Sequence, residues 1–254
     1  MRSSSRSAML AIALLLVAAC AADPARESSA APTARDVLVF GGTGQLGAEI
    51  VRRLVARGDR VTVFARAGSD RVRLAGLPVE YATGDLLNAG EVAAAFKAHR
   101  FVAVVNAVRV EDGDIHFYEK TVGTIVAATQ GSGVEHLIHH GAVGAGDNAA
   151  NFTRFGWDKV PGLLDRLKDQ GIGEKLIRDS GVRYTIIRNS RLWPDGTPST
   201  GRAVLTEDQS VLTPMTRADL AIFTVECLGN AACFNKIYHV RDDSLSWPPP
   251  RPPT

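Results

Sequence analysis

Gly42, Gly44 and Gly47 stand at the spacing G-x-G-x-x-G within Val39-Phe40-Gly41-Gly42-Thr43-Gly44-Gln45-Leu46-Gly47, and Gly41, Gly44 and Gly47 also satisfy the wider G-x-x-G-x-x-G. The turn follows an apolar β-branched run and opens a helical pattern, the context in which such glycines hold a pyrophosphate. The chain must turn sharply, let its backbone approach the phosphates closely, and pack the following helix on a sheet. The helix amino end then offers unpaired N–H groups to the phosphate charge. An NAD site usually places an acid about 20 residues beyond the glycines. Here the second apolar run ends at Phe64-Ala65-Arg66 with no acid, and a guanidinium pairs with a 2′-phosphate. NADP is therefore favoured over NAD. Arg71 and Arg73 lie nearby and either contribute or are simply solvated.

Acid–base chemistry has two candidates, His139 and His140, in Leu137-Ile138-His139-His140-Gly141. Imidazole titrates near neutrality and relays protons. On a strand the two point to opposite faces, so at most one faces a cofactor; the alternative is that both pack or cap. Gly141 to Trp157 reads as a substrate loop in which Arg154 and Trp157 are candidate pocket residues. No metal site is expected, since His136, His139 and His140 share one strand and no Cys or carboxylate cluster completes a ligand set. No G-x-S-x-G elbow supports hydrolase chemistry. Cys227 and Cys233, six apart, are either a disulfide or two buried thiols.

The elements that must position these residues are legible from periodicity. Strands are expected at Val37–Phe40, Val61–Phe64, Val79–Thr83, Phe101–Val108, Val134–His139, Arg183–Arg188 and Lys236–Val240. Helices are expected at Gln45–Arg57, Glu91–Ala98, Asp114–Gln130, Leu163–Ser180 and Arg217–Leu228. Phe101–Val108 is apolar apart from Asn106, as suits a strand covered on both faces. Repeated strand–helix units imply a single α/β domain with a doubly wound, mostly parallel sheet.

The ends differ from this middle. Met1 to Ser7 carries two arginines and no acid, and Ala8–Ala19 is unbroken apolar sequence. That run is shorter than the roughly 20 residues a spanning helix needs and reads as a signal peptide over residues 1–19. Val17-Ala18-Ala19-Cys20 resembles a bacterial lipoprotein box, with Cys20 the lipidated first mature residue; an ordinary signal peptide is the alternative. Residues 20–35 read as a flexible tether and 243–254 as a proline-rich tail. The expected location is the cell envelope, lipid-anchored and extracytoplasmic, or the cytoplasm if the signal is not used. The chain's 29 Lys+Arg against 27 Asp+Glu give no basic excess for nucleic acid, and both surplus charges, Arg2 and Arg6, belong to the leader. The only membrane contact expected is through the N-terminal lipid, and the partner is a small-molecule substrate or none.

The middle of the chain, residues 36–242, resembles the atypical short-chain dehydrogenase/reductase superfamily, near its NmrA-like, NAD(P)H-binding single-domain members. The resemblance is carried by the Gly41–Gly47 turn, Gly84-Asp85-Leu86, Asn106-Ala107, the run Asp179 to Arg188, and Thr216-Arg217-Ala218-Asp219-Leu220-Ala221. It implies a Rossmann fold in which Asp85 and Leu86 contact adenine and Asn106 and Ala107 pass the cofactor. It also exposes departures. No Tyr-x-x-x-Lys exists: Tyr81, Tyr118, Tyr184 and Tyr238 are followed four residues on by Asp85, Val122, Arg188 and Asp242. With Glu174 in register, Gln170 falls at the family's lysine position and Arg166 at its tyrosine, while Leu137-Ile138-His139-His140-Gly141 stands where the serine after the fifth strand would be. The expected function is an NADPH-dependent oxidoreductase for a small carbonyl or quinone-like acceptor. A non-catalytic NAD(P)H sensor or scaffold is the alternative, and an envelope protein that has lost the dinucleotide is a third reading.

Overall fold

Alternating apolar runs and helical patterns assemble into eight strands and five α-helices in the computed structural model, which describes residues 34–109 and 115–247. The expected signal peptide, lipidated Cys20, most of the tether and the end of the proline tail lie outside the described residues, as does the side chain of Arg154. The strands are β1 (Asp36–Phe40), β2 (Arg60–Ala65), β3 (Val79–Thr83), β4 (Ala103–Asn106), β5 (His136–Ala142), β6 (Tyr184–Asn189), β7 (Val204–Thr206) and β8 (Lys236–Arg241). The helices are α1 (Gln45–Ala56), α2 (Ala89–Ala98), α3 (Phe117–Thr129), α4 (Leu163–Asp179) and α5 (Arg217–Cys227).

One sheet runs β3-β2-β1-β4-β5-β6-β8-β7. All pairings are parallel except β7 with β8. The strand order reverses between β1 and β4, the switch point where ligands of such sheets bind beyond the carboxyl ends. Alternation divides β1 between two cores. Val37 and Val39 face Ile50 and Leu54 of α1 and Leu220 of α5, whereas Leu38 and Phe40 face α2, α3 and Ile177 of α4. The doubly wound α/β architecture is thus as the periodicity implies. Two differences have simple causes. β7 is too short for a periodic signal, and β4 ends at Asn106 because the chain there leaves the sheet to pass the glycine turn. Cys227 and Cys233 form a disulfide, Cα–Cα 5.5 Å, that ties the end of α5 to the turn before β8.

Candidate functional site

Parallel register levels the strand ends. Phe40 of β1 lies opposite Phe64 of β2 and Asn106 of β4, and Asn106 lies opposite His139 of β5. Immediately beyond this row comes the glycine turn. Gly41 adopts φ +75°, and a Cβ on it would fall 2.7 Å from the Ala107 carbonyl. A Cβ on Gly47 would meet the Gly41 carbonyl oxygen at 2.1 Å. Only glycine fits either position. Gly44 caps α1 without a side chain, and the first turn of α1 carries no acid. The amino end of α1 therefore presents bare N–H groups and the positive end of its dipole to the crevice. Thr43, Gln45 and Leu46 complete this rim and are partly exposed. A cradle of this kind, closed to any Cβ and donating backbone N–H groups, fits a dinucleotide pyrophosphate.

The other expected cofactor residues take up places around it. Arg66 is exposed directly after β2 and has no ion pair among the described residues. Arg71 instead stacks over the Tyr81 ring at 4.1 Å, and Arg73 pairs with Asp195 at 3.2 Å. Asp85 is exposed after β3, its Oδ1 accepting the Leu87 N–H at 2.9 Å and its own N–H donating to Glu91. Leu86 packs against the apolar layer under Phe64. Asn106 is 2% exposed. Its Oδ1 accepts the Val108 N–H, and its Nδ2 lies 3.0 Å from His139 Nδ1. The fold thus gathers the glycine turn, Arg66, Asp85 and the Asn106–Ala107 backbone at the carboxyl ends of the neighbouring strands β1 to β4.

The two candidate acid–base residues have different surroundings from those a proton relay needs. His139 is fully buried. An amide Nδ2 only donates, so His139 Nδ1 accepts and its proton sits on Nε2. Burial, with His140 next door, pulls its pKa down to about 3. His140 points the other way, as strand alternation requires, with Nε2 3.0 Å from Thr224 Oγ1 of α5, and burial pulls it down to about 4. Both imidazoles are neutral near pH 7 and tie β5 to its neighbours. Trp157 packs flat on buried Phe152, ring centroids 5.3 Å apart.

Sequence reasoning missed the group packed against the carboxyl end of β5. Arg188 of β6, 2% exposed, donates to Glu174 of α4 at 2.6 Å, to Asp147 at 2.7 Å and to Gln209 at 3.0 Å. Glu174 is 1% exposed. A Cβ on Gly141 would fall 2.2 Å from Glu174 Oε1, so this position, inside the stretch that replaces the family's serine, is closed to any side chain. Gln170, at the lysine position, is buried, and Arg166, at the tyrosine position, is exposed. The cluster's only advance signal was the Glu174 register itself. Among the described residues no group of three or more His, Cys, Asp or Glu is placed to hold a metal.

Comparison with known proteins agrees with this geometry. The chain is 36% identical over 130 residues to sterol demethylase protein B of Methylococcus capsulatus, covering 49% of this chain and 40% of that protein. It is 28% identical over 243 residues to the chloroplastic divinyl chlorophyllide a 8-vinyl-reductase of Oryza sativa subsp. indica, covering 87% and 57%. The chain therefore spans about half the length of these two curated relatives. Its fold is that of the anaerobilin reductase ChuY from Escherichia coli O157:H7, with TM-score 0.71 and 21% identity over 83% of this chain and 98% of that one. It is also that of a short-chain dehydrogenase/reductase from Veillonella parvula solved with NADP, with TM-score 0.66 and 15% identity over 83% and 95%. Residues 41–231, which hold the glycine turn, the switch point and every strand but β1 and β8, match the NAD(P)H-binding family, and the chain belongs to it.

Proposed function

We propose that the protein is an NADPH-dependent oxidoreductase for a small carbonyl or quinone-like acceptor, working at the cell envelope. The observation that carries the reading is the cradle at the switch point: Gly41 flush against Ala107, Gly47 flush against Gly41, and a bare α1 amino end. NADPH, when bound, supplies the hydride. Gly41 to Gly47 would hold its pyrophosphate, Arg66 its 2′-phosphate, Asp85 and Leu86 its adenine, and Asn106 and Ala107 would pass close to it. Holding donor and acceptor in line supplies much of the rate in such a site. The sequence holds no Tyr-x-x-x-Lys to give a proton, which favours acceptors whose reduced form takes its proton from water. A curated relative matched over 243 residues is named as a reductase. Envelope residence is supported by the leader sequence and by the Cys227–Cys233 disulfide, since disulfides persist in oxidising compartments.

Fluorescence titration with NADPH and NADH tests the reading, followed by turnover with a carbonyl and quinone panel. Arg66→Glu is expected to weaken NADPH by about tenfold or more, through loss of a charge-assisted pair and gain of repulsion, while leaving NADH nearly unchanged. Equal loss for both would defeat the 2′-phosphate role, and no binding of either would defeat the function. A second reading, a non-catalytic NAD(P)H-binding sensor, is favoured by the closed position at Gly141 and by Gln170 in place of lysine. Binding without turnover across the whole panel would select it. For export, labelled palmitate should enter the wild type and not Cys20→Ala.

A further inference from the structure

Two connections far apart in the chain meet through one ion pair beside α1. Arg73 Nη2 lies 3.2 Å from Asp195 Oδ2, and each side chain is 35% exposed. Arg73 belongs to the connection from β2 to β3, which begins at Arg66. Two tight turns fold that connection back on itself. The Ser69 N–H donates to the Arg66 carbonyl at 3.0 Å, and the Leu74 N–H to the Arg71 carbonyl at 2.9 Å. The backbone at Arg73 is fixed: Leu74 is buried in the core that α1 covers, and the Arg73 carbonyl accepts an N–H of Arg52 on α1 at 3.3 Å. Asp195 comes from the connection between β6 and β7, on a short turn between two ties. Before it, the Trp193 N–H donates to the Met215 carbonyl at 2.9 Å, and the Trp193 carbonyl accepts the Arg217 guanidinium at the start of α5. After it, the Ser199 hydroxyl and the Thr200 N–H donate to Asp219 of α5. Between the ties the Thr197 N–H and hydroxyl both donate to the Pro194 carbonyl, at 3.3 and 2.7 Å, and Asp195 stands at the tip.

We propose that Asp195 competes with the 2′-phosphate of NADPH for Arg73, and so sets how strongly the site prefers NADPH to NADH. The inference rests on the NADPH reading and deepens it. Arg66, exposed at the start of the β2–β3 connection, is the first cation the 2′-phosphate meets, and Arg73 on the same folded stretch is the second. In the free protein Asp195 neutralises Arg73. A phosphate monoester carries between about −1.5 and −2 charge near pH 7, against the single charge of a carboxylate, and pairs with a guanidinium through two parallel N–H bonds. It therefore displaces Asp195, and the turn from Pro194 to Thr197 loses its tie to the β2–β3 connection. NADH carries a hydroxyl at that place and leaves the pair intact. The exposure of the pair suits an exchange of partners, since ion pairs half open to water are weak. The tie at the other end of α1 is built differently: the Asp59 side chain, 3% exposed, holds both Arg35 and Arg57. That pair of contacts is buried and doubled, as a permanent brace requires, whereas Arg73 and Asp195 are single and open.

The test is fluorescence titration of the full chain with NADPH and with NADH. Asp195→Asn is expected to tighten NADPH about threefold and Arg73→Gln to weaken it about threefold or more, with NADH nearly unchanged in both. In the double variant the gain from Asp195→Asn should fall well below threefold, because no Arg73 remains to be freed. Hydrogen exchange gives a readout that does not depend on affinity. The Thr197 N–H should exchange faster in the wild type once NADPH saturates it, and at the unliganded rate with NADH. Equal effects of Asp195→Asn on the two nucleotides, or a gain of the same size without Arg73, would overturn the competition. Weaker NADPH binding by Asp195→Asn would make the pair a brace that shapes the site and would overturn it too. If the wild type binds NADPH and Asp195→Asn leaves its affinity unchanged, the competition fails and the NADPH reading stands. If the wild type binds neither nucleotide, both fall together.

Discussion

Gly141 shows how one residue sets the limits of the site. A Cβ there would stand 2.2 Å from Glu174 Oε1, and Glu174 has nowhere to go. It is 1% exposed and held by Arg188 Nη2 at 2.6 Å and Nε at 3.1 Å. A serine there therefore forces the buried pair apart. Gly141→Ser is expected to cost about 1–3 kcal/mol from overpacking alone, more if the Arg188–Glu174 contact breaks, and to give no new turnover of simple ketones. Urea denaturation checks the first expectation and a ketone panel the second. Unchanged stability together with new ketone turnover would mean the site is more plastic than its packing implies. Much of the residue scale was legible beforehand. The glycine turn announces itself because its spacing is local and its reason is steric. The Arg188 cluster did not, because it joins β6, α4 and the segments around Asp147 and Gln209, and no local pattern encodes a contact across such separations.

At the scale of elements, α3 is the clearest case of a helix whose start is decided from outside. Its N-cap, His116, makes no capping hydrogen bond with its side chain. The Tyr118 and Glu119 N–H groups instead donate to Asp169 Oδ2 and Oδ1 at 2.7 and 2.9 Å. Asp169 is on α4 and 2% exposed. A carboxylate suits this place because it accepts two otherwise unpaired N–H groups and complements the helix dipole. Asp169→Asn keeps one acceptor and loses the charge, at an expected cost of about 1 kcal/mol, and Asp169→Ala about 2 kcal/mol. Hydrogen exchange should report faster exchange at Tyr118 and Glu119 in both variants, with the end of α3 protected as before. Uniform loss of protection would show global destabilisation instead. Periodicity placed the body of α3 correctly along Tyr118, Val122, Ile125 and Val126 but opened it at Asp114 rather than Phe117. The residue that fixes the boundary lies fifty positions downstream. β7 escaped for the opposite reason: three residues at a sheet edge carry no period, and only the pairing of Leu205 with Val240 makes them a strand.

For the whole molecule, the buried histidines of β5 make stability depend on pH. His139 hydrogen-bonds to Asn106 of β4, His140 to Thr224 of α5, and His136 to Thr185 of β6. The three thus join the sheet to itself and to a helix layer. Burial holds their pKa values at about 3, about 4 and about 4, against about 6.5 in an unfolded chain. The unfolded state therefore takes up protons first as pH falls. The stability these groups give is complete above about pH 6.5 and drains away between there and pH 4, by up to about 1.4 kcal/mol per pH unit for each histidine. Asp147 and Asp242, whose carboxyls hydrogen-bonding partners hold below the ordinary range against the opposing effect of burial, act in a separate window. Their contribution is present above about pH 4 and lost only as pH falls further. Thermal melting should accordingly be nearly flat from pH 8.5 to 7 and fall steeply from 6.5 to 4.5. His139→Gln retains an acceptor for Asn106 and removes one titrating group; since buried His239 is also held below its ordinary value, the slope should flatten by about a quarter. An unaltered slope would place the acid sensitivity elsewhere. The same linkage bears on function, because Asn106 sits at the switch point and its orientation depends on a neutral His139. Cofactor affinity should therefore fail together with the fold below pH 5, not through a separate titration near neutrality.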